Sequence, residues 1–61
     1  MSDELKIATA EMKRLNPEAS VTYFPMEQKF MGFNERHLSV TEFYDTRLEA
    51  TVATVKALEI S

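Results

Sequence analysis

The chain has 61 residues and no cysteine, and that pairing constrains the fold more than any other feature. A chain of about 60 residues buries only about 60% of the surface its unfolded form exposes. Chains this small ordinarily rest on disulfides, a structural metal, self-association or unusually good packing. Without thiols there is no disulfide, and no zinc ribbon or iron–sulfur cluster. One histidine, His37, cannot build a multi-histidine metal site. Packing and association remain. The expectation is a single small domain over residues 1–61 that shares surface with a second copy.

Local signals divide the chain into two helices around an aromatic middle. Leu5, Ala8, Met12 and Leu15 recur at helical spacing and form one apolar stripe. Ser2 is placed as a cap, Asp3 and Glu4 put negative charge at the positive end of the helix, and Lys13 and Arg14 fall in its last turn. Asn16-Pro17 stops it. A helix over residues 3–15 follows. In the middle, Val21-Thr22-Tyr23-Phe24 is β-branched and aromatic, as strands prefer. Pro25-Met26-Glu27-Gln28 can turn the chain, and Lys29-Phe30-Met31-Gly32-Phe33 returns as a second strand. Gly32 marks a bulge or a close backbone approach. The fold class is α+β, a small α-β-β-α domain with a hairpin between the helices. The alternative is all-α, with Pro25 opening a short helix to Met31 that Gly32 ends.

Ser39-Val40-Thr41-Glu42 fits a capping box, with Leu38 and Phe43 placed as a hydrophobic staple. A helix from Val40 to about Glu59 is therefore expected. On its wheel, Tyr44, Leu48, Val52 and Val55 form an apolar arc suited to cover the domain. Ala50, Ala53 and Ala57 lie on the opposite side, where a second helix can approach closely. Glu42, Asp45, Glu49 and Lys56 share a narrow charged stripe. The many β-branched residues weaken this helix in isolation, so packing must hold it.

Few residues carry chemistry. A phosphate-cradling loop needs several glycines, and Gly32 stands alone. His37 with Glu35 and Glu42 is the nearest approach to a base or weak metal site, against the simpler account of a solvated loop histidine. Asp45 and Glu49, one turn apart, read as a wet face rather than a catalytic pair. Acids at seven-residue steps, Glu4, Glu11, Glu18 and Glu35, Glu42, Glu49, are interrupted by Pro17 and dress a solvated surface. No catalytic residue, cofactor site or metal site is expected.

The net charge is -3, and the seven basic residues are scattered. Nucleic-acid binders ordinarily cluster them, so nucleic acid is a disfavoured partner. The start Met1-Ser2-Asp3-Glu4 is the reverse of a signal peptide, and no window reaches the ~20 apolar residues of a membrane span. A cytoplasmic protein with no membrane association is expected. All six aromatics fall between residues 23 and 44, and Tyr23, Phe24, Met26, Phe30, Met31 and Phe33 exceed what one hairpin face needs; such side chains anchor interfaces. The expected role is a non-enzymatic protein–protein interaction protein: an adaptor, inhibitor or regulatory accessory factor acting as a homodimer. Its interaction residues are Phe24, Met26, Met31, Phe33, Phe43, Ala50, Ala53 and Ala57. The alternative is a nucleic-acid-associated regulator whose dimer gathers Lys6, Lys13, Arg14 and Lys29 into one basic patch.

Overall fold

The computed structural model describes residues 3–60; the expected Ser2 cap lies outside them. The element order is α1 (Asp3–Leu15), β1 (Ser20–Phe24), β2 (Lys29–Phe33) and α2 (Arg47–Ile60). The fold is the α-β-β-α arrangement expected from the sequence, and the all-α alternative is set aside. Among the described residues, no helix is long and apolar enough to cross a membrane.

The end of α1 is tied off by its own sequence. Asn16 N–H closes on the Met12 carbonyl at 2.9 Å, and the Asn16 side-chain oxygen accepts Glu18 N–H at 3.1 Å. Lys13 Nζ donates to the Ala19 carbonyl at 2.5 Å. These bonds carry the chain around Pro17 into β1. The two strands pair antiparallel, Ser20 opposite Phe33 and Phe24 opposite Lys29. The four-residue loop between them closes with Gln28 N–H on the Phe24 carbonyl at 2.7 Å. Gln28 reaches that geometry at a left-handed φ of 55°.

The second helix starts later than expected. Residues 39–44 do not coil; they run antiparallel beside β2, bridging Phe33 to Ser39 and Phe30 to Tyr44. Phe30 and Tyr44 exchange both backbone hydrogen bonds at 2.8 Å. The Thr41 hydroxyl oxygen accepts Gly32 N–H at 3.0 Å, and Val40 N–H donates to the Gly32 carbonyl at 2.9 Å. The segment thus satisfies the outer edge of β2, which a helix from Val40 would have left unpaired. Ser39 is no cap, and Leu38 and Phe43 form no staple. The box that operates is Thr46-Arg47-Leu48-Glu49. Thr46 Oγ1 accepts Glu49 N–H at 3.1 Å and donates to the Glu49 carboxylate at 2.9 Å.

This shift sets the direction of α2. Three extended passes separate the helices, an odd number, so α2 runs the same way as α1. Glu4 and Ala8 accordingly lie beside Leu48 and Val52, and Leu15 beside Ala57 and Leu58. Both helices occupy one side of the sheet. A Cβ on Gly32 would fall inside the Thr54 side chain, so Gly32 lets α2 press onto β2. That is the close approach, not the bulge, of the two possibilities. Arg47 stacks 5.1 Å over the Phe30 ring and donates to the Val21 carbonyl at 3.1 Å, pinning the start of α2 to both strands.

The interior is built from small side chains. Met12, Ala19 and Ala50 are its buried apolar residues, and the largest fully buried side chains are Thr51 and Thr54. Their hydroxyls donate to the Arg47 and Ala50 carbonyls, both at 2.7 Å, so neither is left unsatisfied. The wheel of α2 is therefore turned from the expected orientation. Ala50, Thr51 and Thr54 point inward, while Leu48, Val52 and Val55 line the outer side of the helix layer with Ile7. Tyr44 precedes the helix and belongs to the sheet edge.

Candidate functional site

Strand alternation sorts the hairpin side chains onto two faces. Val21, Tyr23, Phe30 and Gly32 face the helices, as the Gly32–Thr54 and Arg47–Phe30 approaches require. Thr22, Phe24, Met31 and Phe33 then face the other way. The edge segment continues the pattern: Tyr44 pairs with Phe30, so Phe43 points to the outer face with Phe24 and Phe33. The rings confirm the grouping. Phe24 stacks on Phe33 at 5.9 Å and meets Phe43 edge-on at 5.4 Å. These are the offset and T-shaped geometries that aromatic quadrupoles favour.

The outer sheet face thus carries Phe24, Met31, Phe33 and Phe43 with no helix over it. Phe43 is 40% exposed, and Met26, at the tip of the hairpin loop, is 94% exposed. The other three are half-buried, with Phe24 against the rings of both Phe33 and Phe43. At one margin Lys29 pairs with Asp45, a polar rim beside an apolar centre. A ring cluster of this kind with a methionine alongside is the composition of an interface core.

Five of the eight expected interaction residues, Phe24, Met26, Met31, Phe33 and Phe43, come from the hairpin and its edge segment. The three alanines do not join them. Ala50 is wholly buried on the inner side of α2, against the sheet, so it faces no second copy; this corrects the expected alanine seam. Ala57 is half-buried beside Leu15 and Val40, and Ala53 beside Tyr44 and Lys56. The sequence stripe missed the second apolar surface, the groove between α1 and α2. Ile7 is 70% exposed and Val52 39% exposed there, with Leu48 and Val55 beside them. Its signal was Ile7 itself, an aliphatic residue off the Leu5–Ala8–Met12–Leu15 stripe.

The titratable groups are explained by local structure. His37 is exposed, with φ of 59°, in a turn that Asn34 organises by accepting Arg36 N–H at 2.9 Å and Leu38 N–H at 3.2 Å. Glu35 bonds to Asn16; its own backbone N–H, then the Asn16 amide, hold its carboxyl below the ordinary value. Glu11 is lowered by the Arg14 guanidinium it binds. Asp45 is taken by Lys29 and Glu49 by Thr46. Among the described residues no cluster of His, Asp and Glu suits a metal ion. Lys13, Arg14 and Lys29 each bond a neighbouring oxygen. Lys29 stands on the sheet, away from the α1 positions of the other two. Comparison with protein-family models, with curated proteins and with solved structures finds no match.

Proposed function

We propose that this chain is a non-enzymatic protein–protein interaction protein, an adaptor, inhibitor or regulatory accessory factor, that works as a homodimer. It holds its protein partner on the outer sheet face. One observation carries this reading: Phe24, Met31, Phe33 and Phe43 gather on the side of the sheet that neither helix covers. Burying a side chain of this size contributes about 1.5–3 kcal/mol. The chain instead spends its fully buried positions on Met, Ala and Thr and leaves three phenylalanine rings on the uncovered face. Large apolar groups so placed mark an interface.

The test is comparative capture from cells of the source organism, followed by reconstitution. A protein retained by the wild type and lost from Phe43→Ser and Met26→Ser is expected. Its purified form should bind with an affinity that the same two changes lower by roughly tenfold or more. Met26 is almost fully exposed, so its change leaves the fold intact, while Phe43→Ser gives up one ring contact with Phe24 and its folding is checked by circular dichroism. Equal recovery by wild type and variants would sink the assignment of this face.

A further inference from the structure

The groove between α1 and α2 lies on the opposite side of the molecule from the sheet face, and it too is apolar and uncovered. It is an open cleft of about 480 Å³. We infer that a second copy of the chain sits on this groove, its α2 antiparallel to the first about Val52, so that the dimer displays two outer sheet faces pointing apart. This rests on the homodimer reading above and adds where and how the copies meet.

Three observations select that occupant. The first is the character of α2. A helix apolar around most of its circumference belongs inside a structure. The sheet covers its Ala50–Thr51–Thr54 side and α1 one flank, while Val52 stays 39% exposed. The second is size. The body measures 29 × 27 × 16 Å. Two helices of 13 and 14 residues, each about 20 Å long, offer a patch at the small end of specific interfaces, of the extent a second helix layer of the same size would cover.

The third is charge. Glu49 and Lys56 stand on the same flank of α2 at equal sequence distance, to within a residue, from Val52. An antiparallel pairing about Val52 sets Glu49 beside the partner's Lys56, twice by symmetry. A parallel pairing about an axis along the helices would carry the two Glu49–Lys56 flanks to opposite sides of the seam, where neither pair forms. On the α1 margin, Glu4 falls opposite the partner's Glu11, a like-charge approach that the Arg14 guanidinium bound to Glu11 offsets in part. The antiparallel orientation is therefore the one in which the Glu49–Lys56 flank of α2 complements itself.

The consequence is bivalence. With the helix layers joined, the Phe24–Phe33–Phe43 cluster of each copy faces away from the dimer centre. Two partner proteins, or two sites on one, can be held at once, with the gain in avidity that follows.

Sedimentation velocity over a micromolar concentration series provides the test, with folding of every variant checked by circular dichroism. The wild type is expected at twice the 7.0 kDa chain mass. Val52→Arg and Ile7→Glu should each raise the dissociation constant, Val52→Arg on the order of a hundredfold because each copy buries the unpaired charge. Lys56→Glu should raise it roughly tenfold, and Glu49→Lys with Lys56→Glu should restore it to within about threefold. Phe43→Ser should leave it unchanged. A dimer indifferent to Val52→Arg and Ile7→Glu but broken by Phe43→Ser would overturn this placement and leave the homodimer reading standing. Failure of the charge exchange to restore association would overturn the antiparallel register. A monomer at every concentration would overturn both. Ile7 is so exposed that Ile7→Glu keeps the test decisive even where Val52→Arg perturbs folding.

Discussion

Thr46 holds the first turn of α2 through a hydroxyl that both accepts Glu49 N–H and donates to the Glu49 carboxylate. Thr46→Ala should therefore cost about 1 kcal/mol in urea denaturation. Ser39, exposed beside β2, has the same spacing to an acid and no helix to cap. Ser39→Ala should fall within about 0.5 kcal/mol of wild type. At Gly32 the limit is space, since its φ is not left-handed and an added methyl meets Thr54. Gly32→Ala should cost about 1–3 kcal/mol, and adding Thr54→Ala should recover much of that loss. Measured coupling near zero between the two would mean that the approach of α2 to β2 is not what Gly32 serves. Glu11 and Glu35 have folded-state pKa values below their ordinary ones. Their contribution is present above the ordinary carboxylate range and is lost as pH falls through the lowered values. Stability should stay level from neutral pH down to that range and then decline, shallowly because both groups are exposed. Glu35→Gln, which keeps an acceptor for Asn16, should remove its share of the decline.

The pass at residues 39–44 is the element on which the fold turns. It completes the hydrogen bonding of β2 and reverses the chain once more, so that the two helices run in the same direction. Its weakest point is the bond from Gly32 N–H to the Thr41 hydroxyl, where a side chain replaces a ladder carbonyl. Thr41→Val keeps the shape and strands that part-buried donor, which should cost about 1–3 kcal/mol and speed amide exchange at Gly32. The first helix and both strands were legible because local rules agreed there: stripe, acidic start, basic end, Pro17, then alternating β-branched and aromatic residues. The start of the second helix was not. Two Ser/Thr-x-x-Glu boxes stand seven residues apart, and local pattern ranks them equally. What decides is the unpaired edge of β2, a long-range demand that no window of sequence displays. The misplaced start also turned the helix wheel in expectation, putting Ala50 outside and Val52 inside. The hairpin part of the candidate site was legible from excess aromatics, whereas the groove depended on helix direction and was not.

At the scale of the molecule, the small core and the two uncovered apolar faces describe one balance. The largest wholly buried side chains are threonines, and chains of this size bury about 60% of their surface. An isolated copy is then marginal, while a copy covered on its helix layer adds burial at Ile7, Leu48, Val52 and Val55. Stability supplied by association follows mass action. Each tenfold rise in concentration adds about 1.4 kcal/mol per dimer, or roughly 0.7 kcal/mol per chain. With about 4–8 °C per kcal/mol for a domain of this size, the melting temperature should climb roughly 3–6 °C for each tenfold increase in protein. The Val52→Arg chain should melt lower and at a temperature independent of concentration. Sheet-face changes such as Phe43→Ser should preserve the wild-type slope. A flat wild-type melting curve series would show that each copy holds its own fold, and that the exposed helix groove contributes nothing to stability.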